Sequence, residues 1–363
     1  MRILLLGEYS NVHATLAEGL RALGHQVTVA SNGDFWKNYP RDIDLARKTT
    51  RWGGIMLLLK VLSLLPKWRG YDIVQLINPM FLELKAERIL HIYNYLRLHN
   101  KKLFLGAFGM DYYWVNECIT RKPLQYSDFN IGDELRTNNE ALVEKQDWIG
   151  TKKAELNIKI ARECNGIISG LYEYWVCYKP NYPDKTTFIP YPIVLKEKQP
   201  EYRIPQKVRV FIGINRERSA YKGTDIMLSA AKEVQSRYPD RMKLIIAESL
   251  PFAEYTKAME GADAILDQLY AYTPSMNPLE AMSKGIICIG GGEQENYDII
   301  GEKELRPIIN VKPTKESVVE QLEQLVLHPE RVPELKRQSV EYIKRHHDHI
   351  KVAKQYINFW NSK

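Results

Sequence analysis

Short apolar runs alternate with stretches of helical period along the whole chain. Residues 2–6, 26–30, 71–77, 102–105 and 165–169 read as buried strands, with amphipathic helices at 13–23, 82–99 and 148–164 between them. A further helix at 172–178 and a short strand at 187–190 close this first series. The same alternation restarts at strand 208–214 and continues through helix 224–238, strand 244–247, helix 252–260 and strand 262–266, then strand 308–311 and helices 314–328 and 333–360. Strand and helix in turn predict an α/β protein with parallel sheets. A charged stretch at 189–207 carrying Pro190, Pro192, Pro200 and Pro205 reads as the linker between two domains, 1–195 and 205–340.

Two stretches break the rhythm. Residues 115–150 are polar, with Pro123, Asp128, Gly132 and Asp133, and read as an irregular insertion. Residues 47–69 hold an apolar run from Ile55 to Leu65, interrupted only by Lys60 and Ser63. That run is too short for a bilayer span, which needs about twenty residues. Arg47, Lys48, Arg51 and Trp52 precede it and Lys67, Trp68 and Arg69 follow, a setting that suits either an interfacial membrane helix or a core helix with a charged rim.

The stretch 266–292, LDQLYAYTPSMNPLEAMSKGIICIGGG, reads as strand, polar turn, helix and strand. Asn277 suits the N-cap, Pro278 the first helical position, Glu280 the acid of a capping box and Gly285 the helix stop. A helix opened at the end of a parallel strand offers N–H groups and a positive dipole end to an anion, although the same pattern also makes a good helix start with no ligand. The opening unit offers less: its first loop, Gly7 to Asn11, has one glycine and is no dinucleotide fingerprint.

The run Asp267-Gln268-Leu269, then Glu280-Ala281-Met282 and Gly285, resembles the C-terminal signature of the GT-B glycosyltransferases of the retaining family 4 type. The family pattern is a Glu, seven intervening residues and the second Glu. Tyr272 stands in the place of the first here, as in a subset that keeps only the second Glu. The resemblance implies two Rossmann-like domains facing a cleft, with a C-terminal helix, 341–363, crossing back to the N-terminal domain. Glu280 would hold the ribose of a nucleotide sugar, with Tyr272, Ser275, Asn277 and Glu293 as further nucleotide-sugar contacts. Arg216 and the Lys222-Gly223 pair resemble the cations that clamp the diphosphate, with Arg218 as a competitor for the Arg role; two cations and a helix start can neutralise a leaving diphosphate without a metal.

On the acceptor side, Tyr9, Ser10, Asn11 and His13 are candidates by position. A lone His in a first helical turn reads first as a solvated or capping residue. Gly109-Met110-Asp111 matches a family segment in which a His often precedes the Gly; Phe108 takes that place. Asp111 either orients an acceptor hydroxyl or caps the following turn. The implied reaction is metal-independent, cofactor-free, retaining transfer from a nucleoside diphosphate sugar to an acceptor hydroxyl on a carbohydrate or lipid-linked polysaccharide precursor. A nucleotide-sugar epimerase or hydrolase on the same fold, or a non-catalytic sugar-nucleotide-binding subunit, is the alternative.

Composition narrows the classes. With 363 residues, 45% hydrophobic and 26% charged, the chain has the make-up of two globular domains, neither disordered nor membrane-spanning. Its four cysteines form no CxxC pair, which argues for a reducing compartment and against a disulfide framework or zinc. The apolar run of MRILLLGE is too short for a signal peptide, so a cytoplasmic location is expected, with residues 47–69 as a contact to the inner membrane face. A net charge of +7 permits an anionic partner, but no nucleic-acid motif accompanies it and no nucleic-acid partner is expected. His346, His347 and His349 read as a polar helix face, because three ligands do not converge from one helical turn.

Overall fold

The computed structural model describes residues 1–195, 201–248, 250 and 252–363. The middle of the predicted linker, 196–200, lies outside the described residues. The chain forms two compact units. One comprises Met1–Pro123, Val143–Pro192 and His349–Lys363, and the other Leu124–Leu142 and Ile193–Asp348.

In the first unit, strands β1 (Arg2–Leu6), β2 (Gln26–Ser31), β3 (Ile43–Asp44), β4 (Ile73–Leu76) and β5 (Lys102–Ala107) belong to one sheet. The polar stretch then supplies a small antiparallel hairpin, β6 (Asn130–Ile131) and β7 (Glu134–Leu135), which belongs to the second unit. Strands β8 (Gly166–Ser169) and β9 (Thr186–Phe188) complete a seven-stranded parallel sheet in the order β3-β2-β1-β4-β5-β8-β9. Ile3, Leu4, Leu5 and Leu6 are all fully buried, because helices cover both faces of β1 and leave no polar side to alternate with. The helix His349–Ser362 packs on helix Val12–Ala22 so closely that a Cβ on Gly19 would sit 2.3 Å from the carbonyl oxygen of His349.

The second unit holds a five-stranded parallel sheet of β10 (Val208–Ile214), β11 (Met242–Glu248), β12 (Ala264–Leu266), β13 (Ile287–Gly290) and β14 (Ile309–Asn310), in the order β11-β10-β12-β13-β14. Residues of β10 alternate between two cores. Val208, Val210 and Ile212 pack with Met227, Val234, Leu322 and Leu325, while Phe211 packs with Met259, Ile265, Ala281 and Ile286. Both units are therefore Rossmann-like.

Two expected helices are divided. Residues 148–164 are not one helix: Asn139–Trp148 ends before Gly150, at φ +72°, and Lys152–Glu163 starts afresh with the Thr151 hydroxyl accepting from the Ala154 N–H. Residues 333–360 are likewise Val332–Tyr342, a π turn at Ile343–His347, a break at Asp348 and then His349–Ser362. The break is pinned by Ile193, whose N–H donates to the His347 carbonyl at 2.7 Å. The histidine cluster is thus no single helix face. His347 is buried, and His346 Nε2 meets Glu302 at 2.6 Å.

Candidate functional site

In an open parallel sheet, side chains from the loops at the C-terminal strand ends converge on whatever ligand is held. In the second unit that edge carries nearly all the donor-side candidates. β10 ends in Asn215, whose side chain accepts from the Glu217 N–H and turns the chain through Arg216–Arg218. Arg216 is highly exposed and ion-paired with Glu248 at the end of β11. Lys222 closes the short helix Ser219–Lys222, and its carbonyl accepts from the Leu269 N–H at 2.9 Å. This ties the first loop to the one after β12. Gly223 makes the join possible: it sits at φ +71°, and a Cβ there would lie 2.6 Å from the Leu269 Cβ.

The helix after β12 spans Met276–Ser283, and the expected cap is corrected by two residues, from Asn277 to Ser275. Ser275, in extended backbone, holds the N-cap place, and its carbonyl accepts from the Leu279 N–H at 3.1 Å. Burial of Met276 brings that residue into the first turn. Pro278 therefore falls third in the helix, where a missing N–H still costs no helical bond. Asn277 is no cap; its amide donates to the Tyr255 hydroxyl at 3.0 Å. Nor does Glu280 close a capping box. Its carboxylate, 39% exposed, accepts from Lys284 at 2.9 Å. The first-turn N–H groups of Met276 and Asn277 and the helix dipole favour an anion at this end.

Tyr272 and Glu293 are committed elsewhere in the same unit. The Tyr272 hydroxyl accepts from the Gln125 N–H at 2.9 Å, and its ring lies 4.8 Å from that of Tyr126. Glu293 accepts from the Tyr126 hydroxyl, from Asn310 at 2.8 Å and from Lys312 at 2.6 Å. Burial opposes ionisation of this carboxyl, but the bonds from Asn310, Lys312 and Tyr126 outweigh it and hold the group below its ordinary range. Gly291 lets the loop pass: a Cβ would meet the Ala271 carbonyl oxygen at 2.2 Å.

In the first unit the loops after β1 and β5 meet. The Tyr9 ring fills the space that a Cβ on Gly109 would take, 2.9 Å away. Ser10 and Asn11 adopt left-handed backbone, and the Ser10 N–H donates to Asp34, which also pairs with Lys37 at 2.6 Å. His13 is neither solvated nor a cap. It is fully buried, its Nδ1 donates to the Gly7 carbonyl at 2.8 Å, and Phe108 stands edge-on at 6.5 Å. Burial holds its pKa down at about 3, so the imidazole is neutral and Nε2, buried with no partner, is an acceptor.

Asp111 is fully buried as the N-cap of helix Tyr112–Thr120, accepting from the Trp114 N–H at 2.9 Å and the Tyr178 hydroxyl at 2.7 Å. Burial raises its pKa to about 7 against those two bonds. The cap reading is the one this geometry supports.

Residues that sequence reasoning passed over are Glu8, Tyr126 and Arg136. Glu8 is buried and accepts from the N–H groups of His13, at 3.2 Å, and Ala14, at 2.8 Å; desolvation lifts its pKa to about 8. A carboxylate at the end of an apolar strand, just before a helix, is a legible capping signal. Arg136 gives no such signal.

Two parallel sheets, each with its loops at the C-terminal edge and joined by a helix that returns to the first unit, decide the fold. The chain has the GT-B fold. It is similar in structure to sucrose-phosphate synthase from Thermosynechococcus elongatus, at 14% identity and TM-score 0.64, over 100% of this chain and 98% of that one. Anabaena Alr3699/HepE, solved with UDP and glucose, gives 10% identity and TM-score 0.62 over 100% of both chains. A putative UDP-N-acetylglucosamine 2-epimerase from Listeria monocytogenes shares the GT-B fold at 11% identity and TM-score 0.57, over 98% of this chain and 94% of that one. No family model and no curated protein matches the sequence. At these identities the likeness is one of fold.

Proposed function

We propose that the protein transfers a glycosyl unit from a nucleoside diphosphate sugar to an acceptor hydroxyl. The observation that carries this reading is the donor-side edge of the second sheet. Arg216 and Lys222 follow β10, and the helix start at Ser275–Asn277 follows β12, its hydrogen-bonded neighbour. Two cations and a helix N-terminus complement the charge of a departing nucleoside diphosphate, so the transition state is stabilised without a metal in this scheme. Glu280 would bind the ribose hydroxyls, exchanging part of its contact with Lys284 for them. Retention of configuration is part of the proposal, as the resemblance to family 4 implies.

The acceptor would meet the loops after β1 and β5. Asp111 acts there as a positioning residue that fixes the second loop, while Tyr9, Ser10 and Asn11 offer polar contacts and His13 a neutral acceptor nitrogen. The acceptor class is a carbohydrate carried on a lipid, a precursor of a surface polysaccharide. Similarity to HepE, whose structure holds UDP and glucose, supports a uridine donor.

A second reading, epimerisation or hydrolysis of the nucleotide sugar, draws on the epimerase with the same fold. A thermal-shift screen against UDP, ADP, GDP and their sugars tests the donor site, because a ligand that binds only the folded state raises Tm by mass action. A selective rise with one base is expected. No rise with any of them would remove the donor assignment, and release of free or epimerised sugar without transfer would favour the second reading.

A further inference from the structure

The helix Gly53–Leu64 is apolar on both faces, a pattern that ordinarily belongs to a wholly buried helix. Here only one face is covered. Gly53, Leu57 and Val61, spaced four apart, are buried against the first unit and are followed by the fully buried Trp68. On the opposite side Trp52, Ile55, Met56, Leu59 and Leu62 fall at i, i+3, i+4, i+7 and i+10, one continuous stripe, and are 42–62% exposed. Such a stripe in water needs a covering partner.

The surrounding charge states the partner's chemistry. Between Asp44 and Asp72 the chain carries Arg47, Lys48, Arg51, Lys60, Lys67 and Arg69 and no acidic residue. All six are exposed, and none makes an ion pair among the described residues. At twelve residues the helix is about 18 Å long, short of the roughly 30 Å of a bilayer core, and no helix among the described residues is long and apolar enough to cross a membrane. An apolar stripe with a tryptophan at its start and cations on both flanks matches the depth profile of a bilayer surface, apolar a few ångströms in and anionic above.

We propose that this helix docks the first unit on an anionic phospholipid bilayer, lying in the headgroup plane with its outer stripe inserted and its flanking cations on lipid phosphates. The inference rests on this face alone and holds whether or not the donor reading does.

The test is flotation of the full chain with vesicles of phosphatidylcholine alone and of phosphatidylcholine mixed equally with phosphatidylglycerol. The protein should float with the mixed vesicles only, and less as salt rises. Leu59→Glu, at a site exposed to water and so compatible with an unchanged Tm, should cut the bound fraction about tenfold or more. Leu98→Glu, at a still more exposed leucine on helix Ala86–His99, should leave it unchanged. Lys48→Glu combined with Arg51→Glu should abolish the preference for phosphatidylglycerol. Absence of flotation, or equal flotation of the Leu59→Glu and parent proteins, would overturn the proposal. So would a dimer in solution that Leu59→Glu dissociates while vesicles bind neither protein, which would assign the stripe to a second copy of the chain.

Discussion

The guanidinium of Arg136 lies over the ring of Tyr270, 3.7 Å from its centroid. The same group donates to the carbonyls of Ala220 at 2.8 Å and Tyr221 at 3.0 Å, the two residues before Lys222. It also accepts no substitute: only a planar fork reaches a ring face and two carbonyls at once. Arg136→Ala should therefore free the β6–β7 hairpin and speed hydrogen exchange across residues 124–142 by about tenfold or more, the scale of a lost cation–π contact and its charge-assisted bonds. Arg136→Lys should recover little. Unchanged protection of this segment in Arg136→Ala would mean that Tyr126 and Gln125 hold it instead.

Lys222→Ala and Arg216→Ala should each weaken binding of a nucleoside diphosphate by about 1–3 kcal/mol, the worth of one charge-assisted contact to phosphate. Calorimetric titration with the diphosphate selected by thermal shift measures this directly. Arg216 must leave Glu248 to reach a phosphate, so Glu248→Gln should strengthen binding slightly. Full affinity in both cation variants would place the diphosphate elsewhere.

Gly223 and Gly301 share φ +71° but differ in their neighbours. A Cβ on Gly223 would overlap Leu269, whereas one on Gly301 would meet nothing within 4 Å. Gly301→Ala should cost only the left-handed conformation, about 1 kcal/mol. Gly223→Ala should cost roughly 1–3 kcal/mol more, since the loop after β12 has to move. Urea unfolding of the two variants reads the difference, and equal losses would show that the Gly223–Leu269 contact yields freely.

Glu8 and His13 give opposite pH dependences to stability. Glu8 binds its proton more tightly when folded, about 8 against 4.5, so its contribution declines as pH rises from about 4.5 to 8. Asp111 pulls the same way, from 3.8 up to about 7. His13, about 3 against 6.5, resists protonation when folded, and its contribution is lost as pH falls from 6.5 towards 3. The slopes oppose each other from 4.5 to 6.5. Tm should thus fall above pH 6.5, and Glu8→Gln should flatten much of that fall, at about 1.4 kcal/mol per tenfold difference in proton affinity. His13→Gln should instead spare the acid side. An unaltered alkaline slope in Glu8→Gln would assign it to Asp111 alone.

Much of the architecture is legible because burial on both faces leaves strands such as β1 and β10 unbroken by polar residues, and Gly285 or Gly24 marks a helix end by the backbone it needs. What stayed hidden depends on partners distant in sequence. Residues 124–142 read as an irregular insertion, yet they belong to the second unit through bonds from Arg136 and Gln125 to residues 84 to 147 positions away. The division of 333–360 at Asp348 arises from the Ile193 N–H, which no local propensity records. His13 reads as a surface residue until the Gly7 carbonyl, brought back by the first turn, accepts a hydrogen bond from its Nδ1. At the C-terminal edge of the second sheet the candidate positions follow from the strand ends, while the helix after β12 starts with the buried Met276, ahead of the Asn-Pro signal.

The return of the last helix to the first unit imposes an order on biosynthesis. Every strand of the first sheet has been synthesised once Phe188 is made, but helix His349–Ser362, with Trp360 fully buried, still lies about 160 residues ahead. At roughly 5–20 residues per second that interval lasts on the order of ten to thirty seconds. During it the apolar flank of helix Val12–Ala22 faces water uncovered, so the N-terminal half waits for its final turn of chain, and a truncation of fifteen residues at the far end would be felt first at the beginning.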